Sequence, residues 1–442
     1  MFQSFKNAWK ITELRTKLLF TLMIIILYRV GANIPVPYVL PDAIESFHNA
    51  AQQSILSYMN ILSGDAFGKA TLFALSVSPY ITSSIVLQLL GVAFPNSIGS
   101  WSKDEQGKKK LAMWTRIITV ALAILTSIGY VAILESYGML MSGLNFWNKL
   151  IMVLVYTAGA ALIMWLGEKI NDKGIGNGIS MILFANIVAG LPTLFSSIYY
   201  MAFPTGHFDS FSILGTVAAL ITIAVILAMV VLCIWITNSE RRIPIQYAKR
   251  VVGRKMYGGQ NSNLPLKLNM AGVMPIIFAS SIATVPATIA SFFPNSGFAK
   301  FITNVFSYDS VLYMLVFLLL IVGFSYFYIL ISFDPVEVAN NIQSQGGAIP
   351  GIRSGKPTYQ YLKKILNRVT LIGAFFLGFL ACFPLLVNII ASLFNYTALS
   401  TLAFSGSSLL IIIGVVLETE RDLASQVALR NYGSYNPKGF LN

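Results

Sequence analysis

The chain alternates long apolar runs with shorter polar ones. Ten runs approach the roughly 20 residues that an α-helix needs to cross a bilayer: 18–34, 70–94, 111–134, 146–166, 179–201, 211–236, 270–293, 311–333, 369–394 and 402–417. They predict an all-α polytopic membrane protein with ten transmembrane helices. The second run is unlike a plain anchor. Residues 60–90 open with a polar piece holding Gly64, Asp65, Gly68 and Lys69, too charged to sit comfortably in lipid. An apolar stretch follows, interrupted by Ser76, Ser78, Pro79, Thr82, Ser83, Ser84 and Gln88. Hydroxyls, an amide and a helix-weakening proline inside a span predict a helix that faces protein, water or a passing substrate on one side.

The runs divide five and five, and the halves share an echo. Pro79, Ile81 and Ser83-Ser84-Ile85 in the second run parallel Pro275, Ile277 and Ser280-Ser281-Ile282 in the seventh. The seventh run comes five after the second, an odd offset, so the two cross the membrane in opposite senses, as inverted repeats require. The expected layout is a short cytoplasmic amphipathic segment (1–17), a first half (18–201), a second half (202–418) and a cytoplasmic tail (419–442). The second half contains long inner loops at 237–269 and 334–368.

Composition agrees: of 442 residues 56% are hydrophobic and 11% charged, which excludes an ordinary soluble domain. The segment 1–17 is basic but lacks a cleavage site, so it does not read as a secretory signal peptide. Charge sets orientation. With both termini inside, 26 of the 30 lysines and arginines fall on inner segments, leaving Arg29, Lys69, Lys149 and Lys300 outside. A missed or invented span would scramble that asymmetry. The loop 237–269, with seven basic residues, Tyr247, Tyr257 and several helix breakers, reads as an extended hairpin-like projection. Topogenic charge and a docking surface for an acidic protein or ribosomal RNA both fit it. The outer segment 33–69 fits either an ordinary loop or a half-helix dipping back into the protein.

Reactive chemistry is sparse. Arg29, Glu135 and Glu168 lie near span ends, and His48 and His207 fall in outer loops, so no proton relay or metal site is expected, and no catalytic residue. Cys233 and Cys382 sit in apolar runs and read as packing residues. GIGNGIS at 174–180 lacks the strand and the lysine of a phosphate loop and reads as a tight turn. What remains for the centre is aliphatic. Val77 and Ile81 lie four apart, as do Ile179 and Leu183, so each pair shares a helix face. Such a set suits either a water-excluding collar or plain core.

Five stretches then carry a resemblance that spans the chain: FALSVSPYITSSIVLQLL (73–90), GIGNGIS (174–180), RRIPIQYAKR (241–250), LPLKLNMAGVMPIIFASSI (264–282) and PGIRSGKPT (350–358). In this order they resemble the SecY family of protein-conducting channel subunits in bacterial plasma membranes. The resemblance implies a clamshell of two inverted five-helix halves, opening sideways between the second and seventh spans. It implies a conduit for unfolded secretory and membrane-protein chains bearing signal sequences. It also implies a pore ring of Val77, Ile81, Ile179, Leu183, Ile277 and Ile411. A plug is implied at 60–72, including Ser63, Gly64, Asp65, Ala66, Phe67 and Gly68, with Asp65 where many members carry a second glycine. Thr82, Ser83, Gln88, Ser280 and Ser281 would form a hydrogen-bonded seam at the lateral gate. Arg250, Arg254, Lys255 and Arg353 would dock the SecA ATPase or the ribosome. The remaining implied partners are the SecE and SecG subunits and anionic lipids; no cofactor is implied. The competing classes are a secondary transporter with inverted repeats, which would show a charged midplane site, and a structural membrane protein without a pore.

Overall fold

The computed structural model describes residues 2–44, 59–60, 63–94, 97–102, 104–141, 143–203, 213–247, 250–252, 255–257, 261–291, 296–297, 301–302, 305, 310–393 and 406–434. His48, His207 and Arg254 lie outside these residues. The basic N-terminal segment forms α1 (Phe2–Lys10), and each of the ten apolar runs carries a helix. The first half contains α2 (Thr12–Gly31), α3 (Ser78–Ala93), α4 (Glu105–Ser136), α5 (Phe146–Lys173), α6 (Gly178–Ala189) and α7 (Leu191–Ala202). The second contains α8 (Ile213–Asn238), α9 (Met274–Ser291), α10 (Val311–Ser332), α11 (Pro335–Ser344), α12 (Lys356–Leu393) and α13 (Gly406–Ser434). The fifth run is split into α6 and α7 at Gly190, because Pro192 supplies no amide hydrogen and disfavours helix just before itself. Among the described residues, six helical stretches are long and apolar enough to cross a membrane; α3 and α9 contribute shorter apolar helices.

The second run departs from expectation. Its helix begins at Ser78, not at residue 70, and Pro79 occupies the first turn. Nothing there is weakened: a first-turn residue has no intrahelical acceptor for its N–H, and the fixed φ of proline suits that position. Residues 64–77 instead form a succession of turns.

The helical fold carries a few short strands. Strands β1 (Glu240–Tyr247), β2 (Arg250–Val252), β3 (Lys255–Tyr257), β4 (Asn261–Lys267) and β5 (Gly347–Ala348) lie in the loops 237–269 and 334–368. β1 pairs antiparallel with β4, placing Ile243 opposite Leu264, and on its other edge with β5, placing Gln246 opposite Ala348. β2 and β3 form a separate hairpin. Ile243 and Ile245 of β1 are buried while their neighbours point outward, the two-residue period of a half-covered strand. With Leu266, Ala339, Ile349, Leu362, Ile365 and Leu366, Ile243 builds a small core. The loops 237–269 and 334–368, two separate long loops in the sequence, are therefore joined through this sheet and core, and α11 lies within the second of them.

The main core runs between the two halves, drawing on α2, α3, α5 and α6 from one side and α8, α9, α10, α12 and α13 from the other. At its inner edge GIGNGIS is a tight turn whose amides are already used. The N–H of Ile175 donates to Thr21 Oγ1 (3.1 Å), that of Gly176 to Asp422 Oδ2 (3.1 Å), and that of Gly178 to Asn171 Oδ1 (2.7 Å). Asn177 caps α6 by accepting from the N–H groups of Ile179 and Ser180. A phosphate would find these donors occupied.

A Cβ on Gly178 would lie 2.0 Å from the carbonyl oxygen of Gly167, a backbone atom that cannot swing aside. Gly178→Val is accordingly expected to force α5 and α6 apart, at a cost of about 2 kcal/mol or more. The measurement is membrane abundance and detergent melting temperature, with Gly323→Val, where a Cβ meets nothing within 4 Å, as the tolerated control.

Candidate functional site

The six ring candidates come together. Val77, Ile81, Leu183, Ile277 and Ile411 are all buried in the main core, and the partly buried Ile179 packs against it. They arrive from α3 and α6 on one side and α9 and α13 on the other, so the cluster bridges the halves. Its middle is wholly aliphatic at these positions, a lining that excludes water and offers no hydrogen bond.

The sequence echo has a structural counterpart. Pro79 is the second residue of α3 and Pro275 the second of α9. Before each proline stands a valine whose carbonyl accepts from two amides. Val77 receives Tyr80 (3.1 Å) and Ile81 (3.0 Å), and Val273 receives Ile276 (3.1 Å) and Ile277 (3.3 Å). Val273 is buried in the same core as Val77, against Gly414 of α13. Sequence reading missed it, although it precedes Pro275 by the same two residues that separate Val77 from Pro79.

From Gly64 to Val77 the backbone runs in turns rather than helix, and the segment is largely buried. Ser63, Ala66, Phe67, Ala70, Phe73, Ala74 and Val77 are buried. Its turns are closed internally by side chains. Asn60 donates to Asp65 Oδ1 (3.0 Å) and accepts from the N–H of Gly68 (2.8 Å), while Ser63 Oγ accepts from the N–H of Phe67 (2.9 Å). The N–H of Leu72 donates to the carbonyl of Ile34 (2.9 Å), tying the segment to the end of α2. Gly64 has φ +63 and Asp65 φ +69. Asp65 thus adopts the left-handed conformation that glycine takes most readily, and aspartate tolerates that region better than most side chains. A Cβ at Gly64 would sit 2.7 Å from Arg29 and 3.0 Å from the Asn186 backbone, so α2 and α6 close over this turn.

The proposed polar seam is corrected. Ser83 donates to the carbonyl of Thr115 on α4 (2.8 Å), away from α9. Thr82 donates to Ser78 O (3.0 Å), Ser280 to Ile277 O (2.8 Å) and Gln88 to Ser84 Oγ (3.1 Å), each within its own helix. In apolar surroundings a hydroxyl satisfies itself most cheaply on the preceding turn. Ser281 is buried on α9. The two helices do pack against each other, and for these four side chains their contact is apolar rather than hydrogen-bonded.

Comparisons with known proteins give the family and the fold. The SecY family model matches residues 71–420. A protein translocase subunit SecY from Streptomyces galbus is 41% identical, with 100% of both chains covered. The chain belongs to the SecY family. Two solved structures share its fold. One is a SecY channel reported with the finding that its plug domain stabilises the closed state and maintains a membrane seal (TM-score 0.61, 18% identity, 97% and 95% coverage). The other is Sec61 in a canine ribosome–channel complex of the endoplasmic reticulum (TM-score 0.57, 14% identity, 97% and 95% coverage).

Of the basic docking candidates on this SecY-family chain, Arg250 and Lys255 lie on the separate β2–β3 hairpin. Arg250 opens β2 and Lys255 opens β3. Arg353 is exposed, in a turn between Gly351 (φ +80) and Gly355 (φ +94), and its carbonyl accepts from buried Thr358 Oγ1 (2.9 Å). Charges also gather between β4 and α13. Burial and then the Asp422 carboxylate push the Glu418 carboxyl up, and burial and then Arg421 push the Lys267 ammonium down. Arg421 donates to Asn238 Oδ1 (3.0 Å), which joins α13 to the end of α8.

Ser83→Ala leaves the Thr115 carbonyl without that donor. The expected result is a stability loss of about 1 kcal/mol, read as a lower melting temperature. Export of substrates with weak signal sequences should be unchanged, because Ser83 does not face α9.

Proposed function

We propose that this chain is the pore-forming subunit of the protein-conducting channel of a bacterial plasma membrane. It passes unfolded secretory polypeptides across the membrane and releases transmembrane segments sideways into lipid. The observation that carries this reading is the convergence of aliphatic side chains from α3, α6, α9 and α13 on one dry cluster beside a buried, non-helical segment. A substrate presenting every kind of side chain cannot be served by specific hydrogen bonds. A deformable apolar collar makes few sequence-dependent contacts and seals loosely around whatever occupies it.

In this reading Val77, Ile81, Ile179, Leu183, Ile277 and Ile411 form the collar, with Val273 beside Ile277. Residues 60–72 form the plug, and their turns continue to Val77. A signal sequence parts α3 from α9, where Thr82, Gln88 and Ser280 keep their hydroxyl and amide groups paired within the helices while the apolar surfaces separate. Both termini lie in the cytoplasm with the β-sheet unit, following the basic bias of the inner segments. Arg250, Arg254, Lys255 and Arg353 dock the SecA ATPase or the ribosome. The ribosome–channel complex of the related Sec61 fold supports the ribosomal alternative. SecE and SecG complete the assembly, and anionic lipids meet its basic inner rim. The chain supplies a conduit, and the motor, the ribosome or the membrane potential supplies the work.

A stalled secretory chain is expected to crosslink to both Ile81→Cys and Ile277→Cys, since only a conduit touches α3 and α9 together; crosslinks to neither would remove the pore. Arg353→Glu is expected to cut SecA-driven export at least tenfold with membrane abundance intact. Normal SecA-driven export by that variant would take Arg353 out of docking.

A further inference from the structure

Tyr130 and Tyr156 are buried aromatic residues inside apolar helices, and no part of the pore, gate or docking account uses them. Both point their hydroxyls at the backbone of the 63–77 segment. Tyr130 of α4 donates to the carbonyl of Phe67, and Tyr156 of α5 donates to the carbonyl of Ala70 (3.3 Å). Their rings meet edge to face with centroids 5.0 Å apart, and Tyr130 also packs on the Phe67 ring at 4.6 Å. Arg29 of α2 reaches a third carbonyl, that of Gly64 (3.4 Å). All three donors come from the first half of the molecule, and all three acceptors are main-chain oxygens.

The segment needs such holding. Asp65 (φ +69), Ala70 (φ +50) and Ser76 (φ +50) occupy the left-handed region, which side chains other than glycine keep only when the surroundings over-determine it. Ala70 is one of those three residues, and its own carbonyl is the one that Tyr156 holds.

We propose that Tyr130 and Tyr156 are a latch on the plug: their two hydroxyls keep the segment seated in the resting channel and set how readily it leaves. This rests on residues 60–72 being the plug. Because the latch is anchored on α4 and α5, parting α3 from α9 does not itself undo it. Plug release is then a separate step, completed only when the hydroxyls exchange their carbonyl partners for water or for groups of the arriving chain.

The test uses the complete reconstituted translocon in planar bilayers. It compares the parent with Tyr130→Phe, Tyr156→Phe, the double variant and a deletion of 60–72. Phenylalanine keeps both rings and their packing, so the change is confined to the hydroxyls. Each single variant should raise the resting ion leak about fivefold, the effect of one lost net hydrogen bond on a two-state equilibrium, and the double variant more. Labelling of an Ala66→Cys reporter by an impermeant maleimide should rise in step. If the deletion raises the leak while the double variant matches the parent in leak and labelling, the latch is wrong and the plug stands. If the deletion leaves the leak unchanged, the plug reading fails and the latch with it. A lowered melting temperature with an unchanged leak would make the tyrosines structural supports only, which also overturns the proposal.

Discussion

A backbone polar group in an apolar interior must find a partner within the protein, and this constraint governs the centre of the molecule. Helices meet it automatically. The turns at 64–77 cannot, so their amides and carbonyls are matched one by one. Asn60 and Ser63 serve the amides of Gly68 and Phe67, Ile34 lends a carbonyl to Leu72, and donors from α2, α4 and α5 reach Gly64, Phe67 and Ala70. The left-handed residues add on the order of 1–2 kcal/mol each. Irregular backbone at this depth persists only because so many neighbours hold it.

That accounting separates polar work from apolar work. Hydrogen bonds go to the main chain of the buried segment, to the GIGNGIS turn and to the preceding turns of helices. The side chains at Val77, Ile81, Leu183, Ile277 and Ile411 that meet across the two halves are left purely aliphatic. Contact between the halves there is cheap to break and to remake, because no buried donor or acceptor is stranded when it opens. The paired valine–proline starts of α3 and α9 place Val77, Ile81, Val273 and Ile277 symmetrically in that contact.

Much of this was readable in the residues, and the failures have physical causes. Hydropathy located every helix-bearing run because span length is fixed by the bilayer. It misplaced the start of α3 because Ala70, Leu72 and Phe73 are as apolar as helix residues, and hydropathy does not register the left-handed φ of Ala70. The seam failed because sequence shows that Ser83 and Gln88 carry hydrogen-bonding groups but not that their nearest partners lie on α4 or one turn back. The pairing of β5 with β1 joins residues about a hundred positions apart, beyond any local pattern. Tyr130 and Tyr156 did leave a signal, a hydroxyl in an otherwise hydrocarbon run, and it went unread because each tyrosine also passes for core.

The length of α12 has a mechanical consequence. Its 38 residues extend about 57 Å at 1.5 Å per residue. Leu362, Ile365 and Leu366 near its start are locked into the sheet unit, while Leu377 and Leu380, still ahead of the helix-interior Pro384, are packed in the core between the halves. One stiff rod therefore belongs to both bodies. A load applied to the sheet cannot be absorbed by a slack linker; it tilts the rod, and the tilt arrives as torque among the residues packed in the core between the halves.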